Sequence, residues 1–495
     1  RIFAEGAFSQ AFIPSYARIL EAEGREAAEK VAGEALRVLF AGTALLTLLA
    51  QFTMPWILLV FHAGYADDTV NFNIAVVLTQ ITMPYLACMS ISALLSGMLN
   101  TAGRFILSAG APTLLNISLI LSVLVTNTAP PPDSLSPADI WIWMEAAFSI
   151  GLPLRTAYGV AYGVIIAGVL QAALLYWGVR RQGVRLSLLA LPRLTPKVKH
   201  ILMLAIPGTL AASGTQINIM VSQLLASFEV GAKTWLYYAD RLYQLPLGLV
   251  GVAVGLAILP HLSRAARLED QPQAYRMMDQ GMALAMALTL PAALALIIAP
   301  GFLIESIFAR GAFTPDDARQ AGHALFYYGW GVPAFVLIKV LSPAFFARED
   351  TKTPMRYALI SVGLNIVLGT AFFFWLTAQG QYGFPGLAMA TSLAGWANAS
   401  LLGLTLIRRG WYRPGPLLIS KLFRISLAVG FMAIILVMAT PPLIVFLEDM
   451  TGGRRFFNAL AFIALGGVVY IAAALCFGAL RPADITRNLF SRTSG

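Results

Sequence analysis

The chain has 495 residues, of which 58% are hydrophobic and 12% charged, and a formal net charge of +10. Soluble domains carry about 25% charged residues, so this composition excludes an ordinary soluble fold and predicts an all-α polytopic membrane protein. Its apolar runs are continuous rather than alternating, which excludes a β-barrel, and its excess of Lys and Arg is read as inner loops meeting anionic lipid rather than as a nucleic-acid surface.

The first stretch, RIFAEGAFSQAFIPSYARIL (1–20), reads as the later part of a helix. It opens on Arg1 in what looks like the interior of a motif, so the chain is read as a fragment lacking its N-terminal part. Arg1 and Glu5 are i, i+4 apart. That spacing fits either simple helix stabilisation or a polar face with a function. After a charged break, EAEGREAAEK, spans are predicted at 38–61, 71–99, 105–125, 158–177, 201–228, 235–260, 275–298, 321–346, 357–376, 383–406, 425–446 and 457–480. Each is near or above the roughly 20 residues a bilayer requires, giving about twelve complete spans after the partial one.

Alternate loops hold most of the basic residues: Arg25, Lys30 and Arg37; Arg104; the run from Arg180 to Lys199; Arg264, Arg267 and Arg276; Arg348, Lys352 and Arg356; and Arg408 to Arg424, with Arg155, Lys233, Arg310, Arg319, Arg454 and Arg455 as exceptions. These loops are assigned to the cytoplasm. Segments around 95–116 and 341–365 share a Leu-Ser pair, a basic loop and a helix with an asparagine (Asn116, Asn365). The two copies run in the same direction, which predicts two parallel-repeat lobes around a central cavity. The predicted organisation is an N-terminal lobe at 1–182, a C-terminal lobe at 195–409, and two further helices with a tail at 416–495.

The span 235–260 is singled out because it carries Asp240 and Arg241 at membrane depth, where ionisable groups are costly unless they face a wet cavity or a partner. Arg241 lies about 12 Å in from Lys233 at 1.5 Å per residue. Tyr237, Arg241 and Gln244 share one face, which continues through Gly248, Gly251 and Gly255. The glycines predict close packing of a neighbouring helix, and Pro246 predicts a kink. Arg241 has two readings. It either pairs locally or snorkels outward, or it presents a fork for an anion such as phosphate. Adjacent helical residues point about 100° apart, so Asp240 is a poor partner for it.

Elsewhere, Lys339 is read as snorkelling to the inner surface, and Asn116, Asn365 and Asn398 as interhelical hydrogen-bonding groups. The inner loop at 348–354 has charges, Arg348, Asp350 and Lys352 among them, that form either a solvated turn or a gate latch. There is no Walker A sequence, HExxH, GxSxG or defensible carboxylate pair. Cys88 and Cys476 sit in apolar runs and give no disulfide framework. His62, His200, His261 and His323 are too scattered for a metal site. No cofactor or metal is expected, and a secondary transporter or flippase is favoured over a pump or a lipid-modifying enzyme.

Together RIFAEGAFSQAFIP (1–14), NTAGRF (100–105), APTLLNIS (111–118), YADRLYQLPLGLVGVAVGLAILP (238–260), KVLSPAFFAREDTKTP (339–354) and NASLL (398–402) resemble the MurJ family of bacterial lipid II flippases. That family belongs to the multidrug/oligosaccharidyl-lipid/polysaccharide exporter superfamily. Its members have fourteen membrane helices, so the resemblance implies that helix 1 and the start of helix 2 are absent here. It also implies movement of undecaprenyl-pyrophosphate-linked peptidoglycan precursor between leaflets of the inner membrane, by alternating access. The implied partners are lipid II, membrane lipids and the cell-wall synthesis machinery. Arg241 matches the family's helix 8 arginine, and Arg1 the second arginine of a pair; both would hold the pyrophosphate. Gln244 stands where a glutamate is often found. The last two helices would form a groove for the lipid tail. A diphosphate carrying about two charges would gain roughly 4–5 kcal/mol per 100 mV on leaving a negative interior. The alternatives are a related exporter of drugs or of another polyprenyl-linked saccharide, and a non-transporting scaffold.

Overall fold

The computed structural model describes residues 8–65, 69–128, 152–184, 186, 191–248, 271–310, 312–348, 350–448 and 454–480. Among these residues the regular structure is helical throughout. In chain order the helices are α1 Phe8–Glu23, α2 Arg25–Phe61, α3 Thr69–Thr82, α4 Tyr85–Thr101, α5 Phe105–Gly110, α6 Thr113–Thr128, α7 Leu152–Arg180 and α8 Pro196–Ala226. There follow α9 at 232–248, α10 Gln271–Ile298, α11 Pro300–Phe308, α12 Pro315–Phe346, α13 Lys352–Ala378, α14 Phe384–Arg408, α15 Pro416–Glu448 and α16 Arg454–Cys476. Ten spans among the described residues are long and apolar enough to cross a membrane, with α3–α4 and α5–α6 counting as one span each.

Two of the predicted spans are not single helices. The 71–99 span breaks between α3 and α4 at Pro84, and the 105–125 span breaks between α5 and α6 at Pro112. Proline has no N–H to donate and crowds the preceding turn, so each break falls where an intrahelical bond is lost. The matching helix of the second repeat, α13, has its only proline, Pro354, in its first turn and runs unbroken for 27 residues. Neighbouring protein can compensate an internal proline, as α12 shows with Pro333 and Pro343 both buried inside 32 helical residues. That helix starts from a capping box: the Asp317 N–H donates to Thr314 Oγ1 (3.2 Å) and the Thr314 N–H to Asp317 Oδ2 (2.9 Å).

The chain forms two compact units, Arg1–Ile217 and Asn218–Gly495, divided inside α8. In the first, α1, α2, α4, α7 and the start of α8 share a core that includes Phe12, Leu36, Leu95, Leu175 and Ile201. Polar side chains pin this unit at intervals. Gln51 Nε2 donates to the Gln80 carbonyl and Gln80 Nε2 to the Gln51 carbonyl, each at 2.8 Å, joining α2 to α3. Ser118 Oγ donates to the Gly163 carbonyl at 2.7 Å, joining α6 to α7. Buried Glu34 on α2 accepts from Thr195 Oγ1 at 2.8 Å, just ahead of α8.

In the second unit α12 packs on α10, α11 and α14; α13 packs on α14; and α15 packs on α10 and α16. The α13–α14 contact is close enough that a Cβ at Gly386 would lie 2.8–2.9 Å from Phe372. Ser361 Oγ donates to the Ala394 carbonyl (2.8 Å) and Asn365 Nδ2 to Thr391 Oγ1 (3.3 Å), so Asn365 is an interhelical hydrogen-bonding group. Asn398 is buried too, but its Oδ1 has no hydrogen-bond partner among the described residues; Asn116 is exposed.

Candidate functional site

The helix α9 is held from its outer end. Its buried face is formed by Trp235, Leu236, Ala239, Leu242 and Tyr243. Trp235 Nε1 donates to Asp317 Oδ1 at 2.8 Å, and its ring meets Tyr382 and Phe384 at 5.4 and 5.1 Å. Tyr243 stacks on Tyr328 of α12 at 4.8 Å. Just ahead of the helix, Glu229 accepts from the Gly383 N–H (2.5 Å) and the Phe384 N–H (3.0 Å). One carboxylate thus satisfies two donors at the start of α14, which its own sequence leaves without a side-chain cap. Half-buried Lys233 lies in the first turn of α9, four residues after Glu229.

These contacts fix which way the opposite face looks. Tyr237, Arg241, Gln244 and Gly248 are all exposed, as their common periodicity predicts. The Arg241 guanidinium lies 4.8 Å from the centre of the Tyr237 ring. It makes no salt bridge within 4 Å among the described residues. The Asp240 carboxylate accepts from Gln244 Nε2, one turn on, also accepts a hydrogen bond from Tyr243, and lies close enough to Arg241 for their charges to interact. Gln244 therefore completes Asp240's hydrogen bonding rather than standing as a second group beside Arg241. A cation over an aromatic ring keeps its N–H edges available, so Arg241 can still offer a planar fork to a phosphate.

Two further expectations are corrected along α9. Among the described residues a Cβ at Gly248 would meet nothing within 4 Å, so no close helix contact is marked there by this glycine. Lys339 places Nζ 3.5 Å from the Leu247 carbonyl, so it reaches sideways to α9 rather than to the inner surface. The backbone is helical through Pro246 to residue 248. Arg1, Glu5, Gly251 and Gly255 lie outside the described residues.

The inner loop between α12 and α13 is a closed network. Asp350 accepts from the Thr353 N–H (3.0 Å) and Oγ1 (2.6 Å) and from Arg409 Nη1 (2.6 Å). The Thr353 hydroxyl, the Thr353 N–H and Arg409 together hold the Asp350 carboxyl down at about 2. Arg348 and Arg409 both lie over the Trp411 ring, at 5.1 and 4.8 Å, and Arg348 Nη1 donates to the Ala344 carbonyl at 3.0 Å. Lys352 is exposed. Nearby, Asp279 accepts from the Tyr412 hydroxyl (2.5 Å) and the Gly415 N–H (3.2 Å), and burial with this contact pushes the Tyr412 phenol up. The sequence reading missed Glu229 and Asp279. The only signal was that Glu229 lies between Phe228 and Val230 and that Asp279 follows Met277 and Met278.

No group of three or more metal-ligating side chains occurs among the described residues. The helical arrangement is shared with exporters of the multidrug/oligosaccharidyl-lipid/polysaccharide superfamily. A multidrug-resistance MATE transporter in an inward-facing conformation matches with a TM-score of 0.64, at 14% identity over 82% of this chain and 87% of that one. A lipid II flippase MurJ in an inward closed conformation matches with a TM-score of 0.72, at 24% identity over 96% of this chain and 88% of that one. The fold class is therefore that superfamily's all-α membrane fold.

The family follows from sequence. The lipid II flippase MurJ family model matches residues 1–448. The probable lipid II flippase MurJ of Rhizobium meliloti (strain 1021) is 39% identical over 99% of this chain and 87% of its own length. The corresponding protein of Vibrio cholerae is 33% identical over 97% of this chain and 87% of its own. The chain belongs to the MurJ lipid II flippase family, and it is a multi-pass protein of the bacterial inner membrane.

Proposed function

We propose that this protein flips lipid II, the undecaprenyl-pyrophosphate-linked peptidoglycan precursor, from the inner to the outer leaflet, and that Arg241 is a contact for the diphosphate. The observation that carries the site is an exposed arginine, on a span that the sequence places in the bilayer, with an aromatic ring but no carboxylate salt bridge at its guanidinium among the described residues. A stable cation in that setting is costly unless it meets an anion in a wet cavity. Tyr237 supports the guanidinium from one side, and Gln244 keeps Asp240 occupied. Arg1 and Glu5 would complete the anion site.

The protein acts as a transporter rather than an enzyme, moving its headgroup by alternating access while the prenyl tail stays in lipid. Its partners on this reading are lipid II, membrane lipids and the cell-wall synthesis machinery. In the inner loop, Lys352 is the free charge for a gate latch, while Asp350 and Arg348 brace their own loop. Export of cationic drugs would favour an exposed carboxylate where Arg241 stands.

The test is complementation of a flippase-depleted strain by the full-length protein and by its Arg241→Ala variant. Growth with the first and lysis with the second is expected. Failure of the unaltered protein at normal membrane level would overturn the flippase reading; growth with the variant would overturn the role of Arg241.

A further inference from the structure

A cationic cleft lies in the first unit. A cleft of about 400 Å³ opens between the last two turns of α1 and the first turn of α8. Arg18, Lys197 and His200 line it, with Glu23 as its one acid. Ile19 and Ile201 form an apolar floor, and Ile201 is almost fully buried. The Lys197 ammonium is paired with Glu23. Arg18 is exposed and makes no ion pair or hydrogen bond among the described residues.

Arg18 is thus a solvent-facing charge without a protein partner among the described residues, lining a cleft with an apolar floor. It stands five residues before the end of α1, about 7.5 Å along the axis, near the break at Gly24 and the start of α2, which carries Arg25 and Lys30. That break belongs to the basic inner loops, so the cleft lies at the level of inner-leaflet headgroups. An anion with an apolar extension matches it: the anion meets the guanidinium fork and imidazole, and the extension meets Ile19 and Ile201. A free inorganic anion would leave the floor unused.

We infer that this cleft binds the phosphate ester of an inner-leaflet lipid, with Arg18 as the principal contact and His200 as the second. Two lipids supply that chemistry, an anionic phospholipid and a prenyl diphosphate; only the second rests on the proposed flippase function.

The test is lipid retention measured by native mass spectrometry on the purified protein in neutral detergent. Short-chain phosphatidylglycerol and farnesyl diphosphate are the probes in separate arms, with inorganic phosphate as a third. Arg18→Gln removes one charge-assisted contact and is expected to weaken retention about tenfold. Arg18→Lys should retain part of it, His200→Gln should weaken it less, and Arg104→Gln on another inner loop should leave it unchanged. Loss confined to phosphatidylglycerol assigns a phospholipid, and loss confined to farnesyl diphosphate assigns the prenyl carrier. Equal retention by Arg18→Gln and the unaltered protein for both lipids overturns the inference, as does a loss equal to that of Arg104→Gln. So does an effect seen only with inorganic phosphate. If Arg18→Gln does not fold, Arg18→Lys and His200→Gln decide by the same comparison.

Discussion

The Arg241 guanidinium rests 4.8 Å from the centre of the Tyr237 ring, one helical turn away on the exposed face of α9. The ring holds the cation without consuming its hydrogen-bond donors. Exposed contacts of this kind are worth about 0.5–1 kcal/mol, or roughly two- to fivefold in affinity. Tyr237→Leu is therefore expected to weaken diphosphate binding only by that factor. Arg241→Lys, which loses the planar fork, should fall between Tyr237→Leu and Arg241→Ala. Titration of the purified variants with a soluble prenyl diphosphate gives the order; equal affinity of all three would refute it.

Glu229 is expected to be more sensitive to a small change than its loop position suggests. Glu229→Gln replaces an acceptor by a donor in front of two N–H groups. A buried donor left unpaired costs about 1–3 kcal/mol. Thermal unfolding in detergent should show a clear drop in Tm, and flipping should fall with it as α9 loses its outer anchor. An unchanged Tm would show that the bracket carries no stability.

The Asp350 network should make the inner loop acid-sensitive. Its carboxyl lies at about 2 in the folded protein, below the usual value near 3.9. A depressed folded value contributes stability that is fully present above the unfolded value and lost as pH falls from about 4 to about 2. Asp350→Asn should remove that part of the acid dependence and lower stability at neutral pH. Unfolding midpoints of both proteins across this window test it; parallel pH profiles would contradict it.

The reciprocal amide bonds of Gln51 and Gln80 use separate donors and separate carbonyls. Interhelical hydrogen bonds in membranes average about 0.6 kcal/mol. Gln51→Leu and Gln80→Leu should each cost about that much, and the double variant close to the sum. Strong coupling in a double-mutant cycle would show that one bond depends on the other.

Much of this was legible before any coordinates. Membrane depth made Arg241 conspicuous, and the helical period put Tyr237 and Gln244 on its face. The period could not say which neighbour Gln244 would choose, because Asp240 and Arg241 are both within one turn. Gly248 misled for a related reason: a glycine permits close approach but does not compel it, and here no described residue comes within 4 Å of its Cβ position. Asp350 was visible as a charge in a loop. Its partner Arg409 lies 59 residues away, a separation no local pattern reports. The breaks at Pro84 and Pro112 hid inside runs whose hydropathy does not falter. Glu229 was hidden by its chemistry, since its partners are backbone N–H groups that any sequence supplies.

That carboxylate has a consequence for pharmacology. The turn it grips, 379–383, joins two helices on the side opposite the basic loops, and so faces outside the inner membrane. A peptide or antibody fragment seated on this turn would compete for the two N–H groups that anchor the head of α9. It would disturb the attitude of an arginine about 12 Å into the bilayer without itself crossing any lipid.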